Sequence, residues 1–259
     1  MNIALFAADK VGLEVARFFG MSKEPLGCLV VDAADSKGLN RDIIEASGIS
    51  NRDLIFSSDD LDNPKVIEQL RRMSLDLGLL AWWPYILREP VLSITRLGFL
   101  NFHPSLLPYC RGKDPNFWAI VEEKPFGVTI HWVSKDIDAG DIAFQAEIPV
   151  SWEDTGETLY KKAQQRIVEL FVENYPRIKS GDIPRVPQSD ADATFHRRSE
   201  LHSASRIDLD KTYTARQLLN LLRARTFPPH PGCWFEADGH RYQIRISIEK
   251  ISPGKDADG

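Results

Sequence analysis

The sequence predicts an α/β protein: a doubly wound, mostly parallel sheet followed by a small C-terminal appendage of one helix and a β-hairpin. Short apolar runs alternate with amphipathic stretches through residues 3–83, which is the pattern of parallel strands joined by helical crossovers. Near the C-terminus the pattern changes to a capped helix and a hairpin turn. We therefore predict a catalytic or binding domain over residues 1–193 and a subdomain over residues 194–259.

The opening of the chain indicates a strand, a turn and a helix. Residues 3–8 form a continuous apolar run, which is typical of a strand buried on both faces, and apolar residues recur with a helical period after Gly12. Two further apolar runs predict strands, and two amphipathic stretches between them predict helices. These segments are 28–31 and 75–83 for the strands, and 40–47 and 66–73 for the helices.

The middle of the chain indicates a strand that ends in a loop, followed by a pair of strands. Residues 98–108 pass from an apolar run into a proline-bounded loop, where functional residues are often found. Residues 127–133 and 142–150 flank the acidic, glycine-containing turn 136–141. This arrangement predicts two paired strands with Asp138 at a strand end.

The last third of the chain indicates two helices separated by a linker. Thr155 precedes a stretch whose apolar residues follow a helical period through Phe171, so we expect a capped helix against one face of the sheet. Residues 175–193 are polar and contain three prolines, which favours a linker. The Thr214 to Gln217 pattern predicts a capping box, and Asp238-Gly239 predicts the turn of a hairpin.

Composition excludes several classes of function. The formal net charge is −5 and no long basic run occurs, which argues against a protein that binds along a nucleic acid. The 3 cysteines are far apart in the sequence and show no CxxC spacing, so neither a disulfide framework nor a zinc site is indicated. The chain begins without a basic leader, and no apolar stretch reaches the length of a membrane span. We therefore expect a cytoplasmic protein without a membrane partner.

Two weak motifs become specific in combination. The segment Asn101-Phe102-His103-Pro104-Ser105-Leu106-Leu107-Pro108 places an amide and an imidazole two residues apart, on one side of an extended chain. The segment Asp138-Ala139-Gly140 supplies a carboxylate and a tight turn about 35 residues later. Taken alone, an Asn-x-His pair at a strand end more often stabilises a loop than performs chemistry. His131, inside an apolar strand, is more simply interpreted as a core or pocket-wall histidine.

With these motifs the chain resembles the folate-dependent formyltransferases over roughly residues 75–150. The resemblance implies a Rossmann-like formyltransferase core and assigns the catalytic positions to Asn101, His103 and Asp138. It also implies 10-formyltetrahydrofolate as co-substrate, with no metal. The cofactor-binding residues that follow from it are Trp83, Tyr85, Ile86, Leu87 and Asp138.

The chemistry of amine formylation agrees with these roles. Attack of an amine on a formyl carbon creates an oxyanion, which needs hydrogen-bond donors, and an ammonium, which needs a proton acceptor. Asn101 and a protonated His103 would donate to the oxyanion. Asp138 would favour the protonated imidazole by its charge and would take the proton of the amine, directly or through a water.

A resemblance to the family members that act on nucleotide-linked amino sugars follows from residues 111–118 and 223–229. It implies Asn116 as a contact of the sugar and Phe227 as a stacking partner of the base, although core packing explains Phe227 about equally well. The leading acceptors are GDP- or dTDP-linked 4-amino-4,6-dideoxyhexoses such as GDP-perosamine, used for the O-antigen of lipopolysaccharide. A homodimer is also implied.

Phosphate contacts are less clearly indicated. The first turn lacks a Gly-x-Gly-x-x-Gly pattern, so Lys10 is a candidate for a substrate phosphate only through its charge and the adjacent helix start, and a solvated lysine is an equal alternative. Arg197, beside Arg198, is a pyrophosphate candidate that is more often a solvated surface residue.

Three alternatives remain open at this point. A methionyl-tRNA formyltransferase would share the chemistry but would have to bind an RNA. A non-catalytic folate- or nucleotide-binding protein would keep the pocket without turnover, which the presence of all three polar residues disfavours. A metal-dependent hydrolase using His103, His131 and Asp138 has suitable ligand types but no closely spaced histidine pair.

Overall fold

A computed structural model describes residues 1–251 of the chain. Within these residues the helices are α1 (Asp9–Ser22), α2 (Asn40–Ala46), α3 (Pro64–Arg72), α4 (Pro115–Val121), α5 (Gly156–Ser180), α6 (Arg198–Ala204) and α7 (Ala215–Ala224). The strands are β1 (Ile3–Ala7), β2 (Leu26–Val31), β3 (Ile55–Ser57), β4 (Leu77–Ala81), β5 (Phe99–His103), β6 (Arg111–Gly112), β7 (Gly127–Trp132), β8 (Ile142–Glu147), β9 (Phe195–His196), β10 (Cys233–Ala237) and β11 (His240–Ile244).

The described residues fall into two compact units. The first comprises Met1–His103, Val128–Ala146 and Gln164–Gln188, and the second comprises Pro104–Gly127, Glu147–Ala163 and the chain from Ser189 onward. Both units are built from segments that are discontinuous in sequence. The boundary at 193/194 stays a prediction of where the sequence divides, and residues 252–259 of the predicted subdomain lie outside the described residues.

The first unit contains a sheet of seven strands in the order β3-β2-β1-β4-β5-β7-β8. The pairs from β3 to β5 are parallel, and β7 runs antiparallel to β5. From β1 the chain adds β2 and β3 on one side of the sheet and then returns to add β4 and β5 on the other side. This is the doubly wound order that the alternating pattern predicts. The doubly wound, mostly parallel sheet is confirmed.

Apolar side chains on both faces of the central strands explain why this sheet forms. All residues of β1 and β4 are buried, which requires cover on each face and matches their continuous apolar sequence. On one face, Phe6 makes edge contacts with Trp83 and Phe99 at centroid distances of 5.3 and 5.5 Å. Such T-shaped pairs add to the stabilisation that comes from burying the rings.

The prediction of a linker over residues 175–193 was wrong at its beginning. Helix α5 continues to Ser180 with Pro176 inside it. The side chain of Tyr175 is buried and lies 4.7 Å from Phe18 between ring centroids, and Ile178 is fully buried. The stabilisation from packing this last turn against the rest of the unit therefore exceeds the cost of the backbone hydrogen bond that Pro176 cannot make.

The second unit contains the predicted C-terminal helix and hairpin. Thr214 and Gln217 form the predicted capping box at the start of α7. Strands β10 and β11 pair antiparallel, and Asp238-Gly239 connects them. Both of these connecting residues have positive φ, as the type I′ form of a two-residue hairpin turn requires. Within residues 1–251, none of the helices combines the length and apolar composition that a membrane crossing needs.

Candidate active site

The carboxyl end of β5 presents two polar side chains on one face of the sheet. Asn101 and His103 lie two residues apart on an extended strand, so their side chains point to the same side. The register of β5 against β7 places Asn101 opposite His131, and directly opposed residues of an antiparallel pair also share a face. Three polar side chains thus project from the first unit where β5 ends.

Asp138 brings a carboxylate to this cluster from the turn between β7 and β8. Its Oδ1 lies 3.4 Å from Asn101 Nδ2, and its Oδ2 lies 3.6 Å from His103 Nδ1. Its side chain is 12% exposed and that of His103 is 6% exposed, so the pair is shielded from water. The structure therefore brings Asn101, His103 and Asp138 together.

His131 forms the wall of the cluster and orients Asn101. Its Nδ1 lies 3.0 Å from the carbonyl oxygen of Trp132, and its Nε2 lies 3.1 Å from Asn101 Nδ2. A carbonyl only accepts, so Nδ1 donates to Trp132, and the amide nitrogen of Asn101 faces Nε2 as a donor. His131 is 2% exposed, in agreement with the interpretation as a pocket-wall histidine. Its contact with Asn101 is a role that the sequence did not indicate.

The turn that carries Asp138 is closely packed. Asp138 has a φ of 52°, a left-handed conformation that aspartate tolerates better than most residues. The backbone N–H of Trp132 donates to the carbonyl of Asp141 at 2.9 Å and closes the base of the turn. A Cβ added at Gly140 would collide with the carbonyl oxygen of Trp132, so only glycine fits at this position.

Gln188 also contacts this turn, and sequence reasoning missed it. Its Nε2 donates to the carbonyl oxygens of Asp138 and Gly140 at 2.9 and 2.7 Å. The sequence places Gln188 in the predicted linker, directly after Pro187. No feature of a single sequence distinguishes it from the other polar residues of that stretch.

The loop after β4 contains the residues predicted to bind folate. Trp83 is buried and its ring lies 5.6 Å from that of Tyr85, whereas Ile86 is exposed and Leu87 is buried. The hydroxyl of Tyr85 donates to Asp32 Oδ1 at 2.7 Å, and this hydrogen bond raises the pKa of Tyr85. The loop is therefore anchored by Tyr85 on Asp32, the residue that follows β2, and in the core by Trp83 and Leu87. Its role in binding folate stays a prediction.

The predicted acceptor-binding residues are distributed over both units, and their roles stay predictions. In the first unit, Lys10 is exposed at the start of α1, where its backbone N–H donates to Asp9 Oδ1 at 2.6 Å. In the second unit, Asn116 is buried and its amide donates to the carbonyl of Gly156 at 2.8 Å. Arg197 is exposed next to α6.

Phe227, also in the second unit, is half-buried between two rings. Its centroid lies 5.4 Å from that of Tyr160 and 5.0 Å from that of His230. These contacts give Phe227 a packing role, and they do not test the predicted stacking on a base.

The arrangement in the first unit suits group transfer to an amine. Amide and imidazole N–H groups are the donors that a developing oxyanion needs, and a shielded carboxylate is a suitable acceptor for the proton of an amine. Among residues 1–251, no group of three or more His, Cys, Asp and Glu side chains has an arrangement that could hold a metal ion.

Comparison with protein families identifies two matching segments. A family model described as "Formyl transferase" matches residues 14–174. A second, described as "N-formyltransferase dimerization C-terminal domain", matches residues 200–250.

Comparison with solved structures gives matches over nearly the whole chain. A 4-N formyltransferase from Francisella tularensis is similar with a TM-score of 0.79 and 23% identity, covering 96% of this chain and 98% of its own. An N-formyltransferase from Helicobacter canadensis, solved with folinic acid and dTDP-3-aminofucose, gives a TM-score of 0.68 at 15% identity over 92% and 85% of the two chains. A methionyl-tRNA formyltransferase from Clostridium thermocellum gives 0.64 at 18% identity over 96% and 94%.

Proposed function

The chain belongs to the formyl transferase family, and on that premise we propose that it transfers a formyl group from 10-formyltetrahydrofolate to the amino group of a nucleotide-linked amino sugar. As a member of this family the protein is an N-formyltransferase enzyme. The observation that carries the proposal is that the Asp138 carboxylate lies 3.4 Å from Asn101 Nδ2 and 3.6 Å from His103 Nδ1.

Each of the three side chains has a distinct task in the proposed reaction. The amine nitrogen attacks the formyl carbon, and N–H groups of Asn101 and His103 stabilise the oxyanion that forms. Asp138 accepts the proton from the resulting ammonium, directly or through a water. The bond between carbon and N10 then breaks, and N10 takes up a proton as tetrahydrofolate leaves. No step requires a metal.

The folate is proposed to bind beside the loop after β4, against Trp83, Tyr85, Ile86 and Leu87, with Asp138 at the reacting end. Support comes from the anchoring of this loop by the Tyr85 to Asp32 hydrogen bond and from the buried Trp83. The Helicobacter canadensis protein, similar in fold, was solved with a folate derivative, folinic acid.

The acceptor is proposed to be a GDP- or dTDP-linked 4-amino-4,6-dideoxyhexose such as GDP-perosamine, formylated for O-antigen synthesis. The Francisella tularensis protein is a 4-N formyltransferase, and the Helicobacter canadensis protein was solved with dTDP-3-aminofucose. In this assignment Lys10 and Arg197 meet phosphates, Asn116 contacts the sugar, and Phe227 covers the base.

The methionyl-tRNA alternative shares the fold but fits the charge less well. The formal net charge of −5 disfavours an extended RNA surface and suits a small substrate with two phosphates. We further propose that the protein works in the cytoplasm as a homodimer, which the match of residues 200–250 to a dimerization domain supports.

The direct test is an assay with purified protein, 10-formyltetrahydrofolate and a panel of nucleotide-linked amino sugars. Mass spectrometry should detect one added formyl group on a 4-amino sugar and on none of the matched 4-hydroxy sugars. If no amino sugar in the panel is formylated while charged initiator tRNA is, the acceptor proposal is wrong and the family assignment remains.

A further inference from the structure

The segment Pro184–Gln188, which we name the strap, lies along the edge of the first unit beside the turn that carries Asp138. Val186 and Ile142 exchange two backbone hydrogen bonds at 2.8 and 3.0 Å, so the strap forms an antiparallel bridge with the start of β8. The indole Nε1–H of Trp132 donates to the carbonyl of Pro184 at 2.8 Å. The strap therefore contacts both strands that lead into and out of the turn.

Arg185 reinforces these backbone contacts. Its guanidinium carbon lies 3.7 Å from the ring centroid of Trp132, a close cation–π contact, and its Nη1 lies 3.9 Å from Asp141 Oδ2. Trp132 is the last residue of β7, and Asp141 immediately precedes β8. Both ends of the turn are thus held by neighbouring residues of the strap.

Gln188 reaches the middle of the turn from the end of the strap. Its amide nitrogen carries two hydrogens, and the two carbonyls of Asp138 and Gly140 accept at 2.9 and 2.7 Å. The positive φ of Asp138 costs free energy for a residue other than glycine, so this backbone conformation needs support from its surroundings. Gln188 thus donates to the carbonyls on both sides of Ala139.

We propose that Gln188 is a positioning residue: it fixes the backbone of the turn so that the Asp138 carboxylate points at Asn101 and His103. The contacts of Gln188 with the turn do not depend on which acceptor the enzyme uses. Its effect on turnover rests on the proposed function, because displacement of a reacting group by about 1 Å can lower a rate by about 10²-fold.

The first test compares Gln188→Ala with Gln165→Ala, a control on the exposed surface of α5. With the amino sugar as substrate, Gln188→Ala should lower kcat by roughly 10- to 100-fold and leave the KM values for both substrates little changed. Gln165→Ala should match the wild type. A kcat of Gln188→Ala equal to that of the wild type would overturn the proposal.

The second test needs no turnover and therefore separates this inference from the proposed function. Hydrogen–deuterium exchange of the ligand-free protein should be faster in Gln188→Ala at the backbone amides of residues 137–141, and unchanged in Gln165→Ala. Unchanged exchange in this peptide of Gln188→Ala would overturn the positioning role even if the enzyme proved inactive on every sugar. Faster exchange throughout the protein would show a general structural role and would also overturn it.

The variant Gln188→Glu gives a signature that loss of packing cannot produce. An ionised carboxylate would face two carbonyl oxygens and repel both, whereas a protonated one supplies one O–H donor. The activity of Gln188→Glu relative to the wild type should therefore rise as pH is lowered from about 8 to about 5, toward the ordinary pKa of a glutamic acid near 4.3. A ratio that does not change with pH would contradict donation by residue 188.

Discussion

At the scale of single residues, Asp138 is the point where the contacts of the site meet. Its two carboxylate oxygens face Asn101, His103 and His131 at distances of 3.4 to 3.6 Å, and its backbone carbonyl accepts from Gln188. An ionised carboxylate in this position both attracts a protonated imidazole and accepts a proton from an incoming amine. A neutral amide of the same shape does neither.

We therefore expect Asp138→Asn to lower kcat by roughly 10²- to 10⁴-fold, the usual contribution of a general acid–base group, with much smaller effects on folate binding. Single-turnover kinetics and folate titration by fluorescence would measure the two quantities. Asp136→Asn, in the same turn, is the matched control and should retain wild-type turnover. Near wild-type turnover of Asp138→Asn would remove this carboxylate from the mechanism.

The sequence predicted that Asn101, His103 and Asp138 lie close together, because their positions follow from local rules, and the structure shows that proximity. Their roles in catalysis stay predictions. Alternation along a strand places Asn101 and His103 on one face, and a turn between paired strands returns Asp138 to the end of that sheet. The contact of His131 with Asn101 depends on the register of β5 and β7, and that of Gln188 on the path of the chain after α5. Neither register nor path can be derived from a single sequence.

At the scale of elements, α5 shows where sequence signals are reliable and where they fail. Its start follows a capping rule, since Thr155 and Thr158 exchange hydrogen bonds at 2.9 and 3.3 Å. Its end was predicted too early, because a proline is a strong local breaker but the packing of Tyr175 and Ile178 is not visible locally. The loss of one backbone hydrogen bond close to a helix end is a small cost beside that burial.

The loop before α5 is joined to the first turns of the helix by a carboxylate. Asp154 accepts from the backbone N–H of Ser151, from Thr158 Oγ1 and from Lys162 Nζ, each at 2.7 to 2.8 Å. Burial raises the pKa of Asp154, but these hydrogen bonds and the nearby ammonium outweigh burial, and the pKa lies below its ordinary value. The ionised form is thus more stable in the folded than in the unfolded chain.

We expect Asp154→Asn to lower the free energy of unfolding by roughly 1–3 kcal/mol at neutral pH, since it removes hydrogen bonds to a charged group. A depressed folded-state pKa contributes stability above the unfolded value of about 3.9 and loses it as pH falls through the lower folded value. The difference between variant and wild type should therefore shrink below about pH 4. Urea unfolding across pH would test this, with the exposed Asp192→Asn as control; a difference independent of pH would contradict the linkage.

At the scale of the whole molecule, the sequence predicted the doubly wound sheet but not the compact units. Apolar runs and helical periods report the order of elements along the chain, which is why β1, β2, β4 and β5 were assigned correctly. The three-residue strand β3 was not predicted, because it is too short to show a period. Each compact unit combines segments from distant parts of the sequence, as Val128–Ala146 and Gln164–Gln188 do in the first. Such groupings arise from tertiary contacts and leave no periodic signal.

The first prediction at this scale is a homodimer. Residues 200–250 match a dimerization domain, and β10 and β11 form a sheet of two strands with Tyr242 exposed on β11. A two-stranded sheet is marginally stable alone, so a partner surface would stabilise it. Light scattering at micromolar concentration should give about twice the chain mass of 29.3 kDa.

Substitutions test which surface of the protein forms the dimer interface. In a two-fold interface each substitution occurs twice, so Tyr242→Glu should place two buried charges and shift the protein toward monomer. Val172→Glu, on the exposed side of α5, should leave the dimer intact. A monomeric wild type would show that the homodimer prediction is wrong. If both substitutions shifted the protein toward monomer equally, the placement of the interface at β11 would be contradicted.

The last prediction concerns the acceptor and uses the charge of the whole chain. A protein that binds tRNA by 6 to 10 phosphate contacts loses about 10³- to 10⁵-fold in affinity between roughly 50 and 200 mM salt, because each neutralised phosphate releases counterions. This chain has a net charge of −5, and a nucleotide-linked sugar offers only two phosphates. We therefore expect the KM for a GDP- or dTDP-linked 4-aminohexose to change little over that range of salt. Steady-state assays with these sugars and with charged initiator tRNA, each across the same salt series, give the KM of both kinds of acceptor under identical conditions. Efficient formylation of tRNA with a steep salt dependence, and none of the sugars, would assign the chain to the RNA-binding branch of its family.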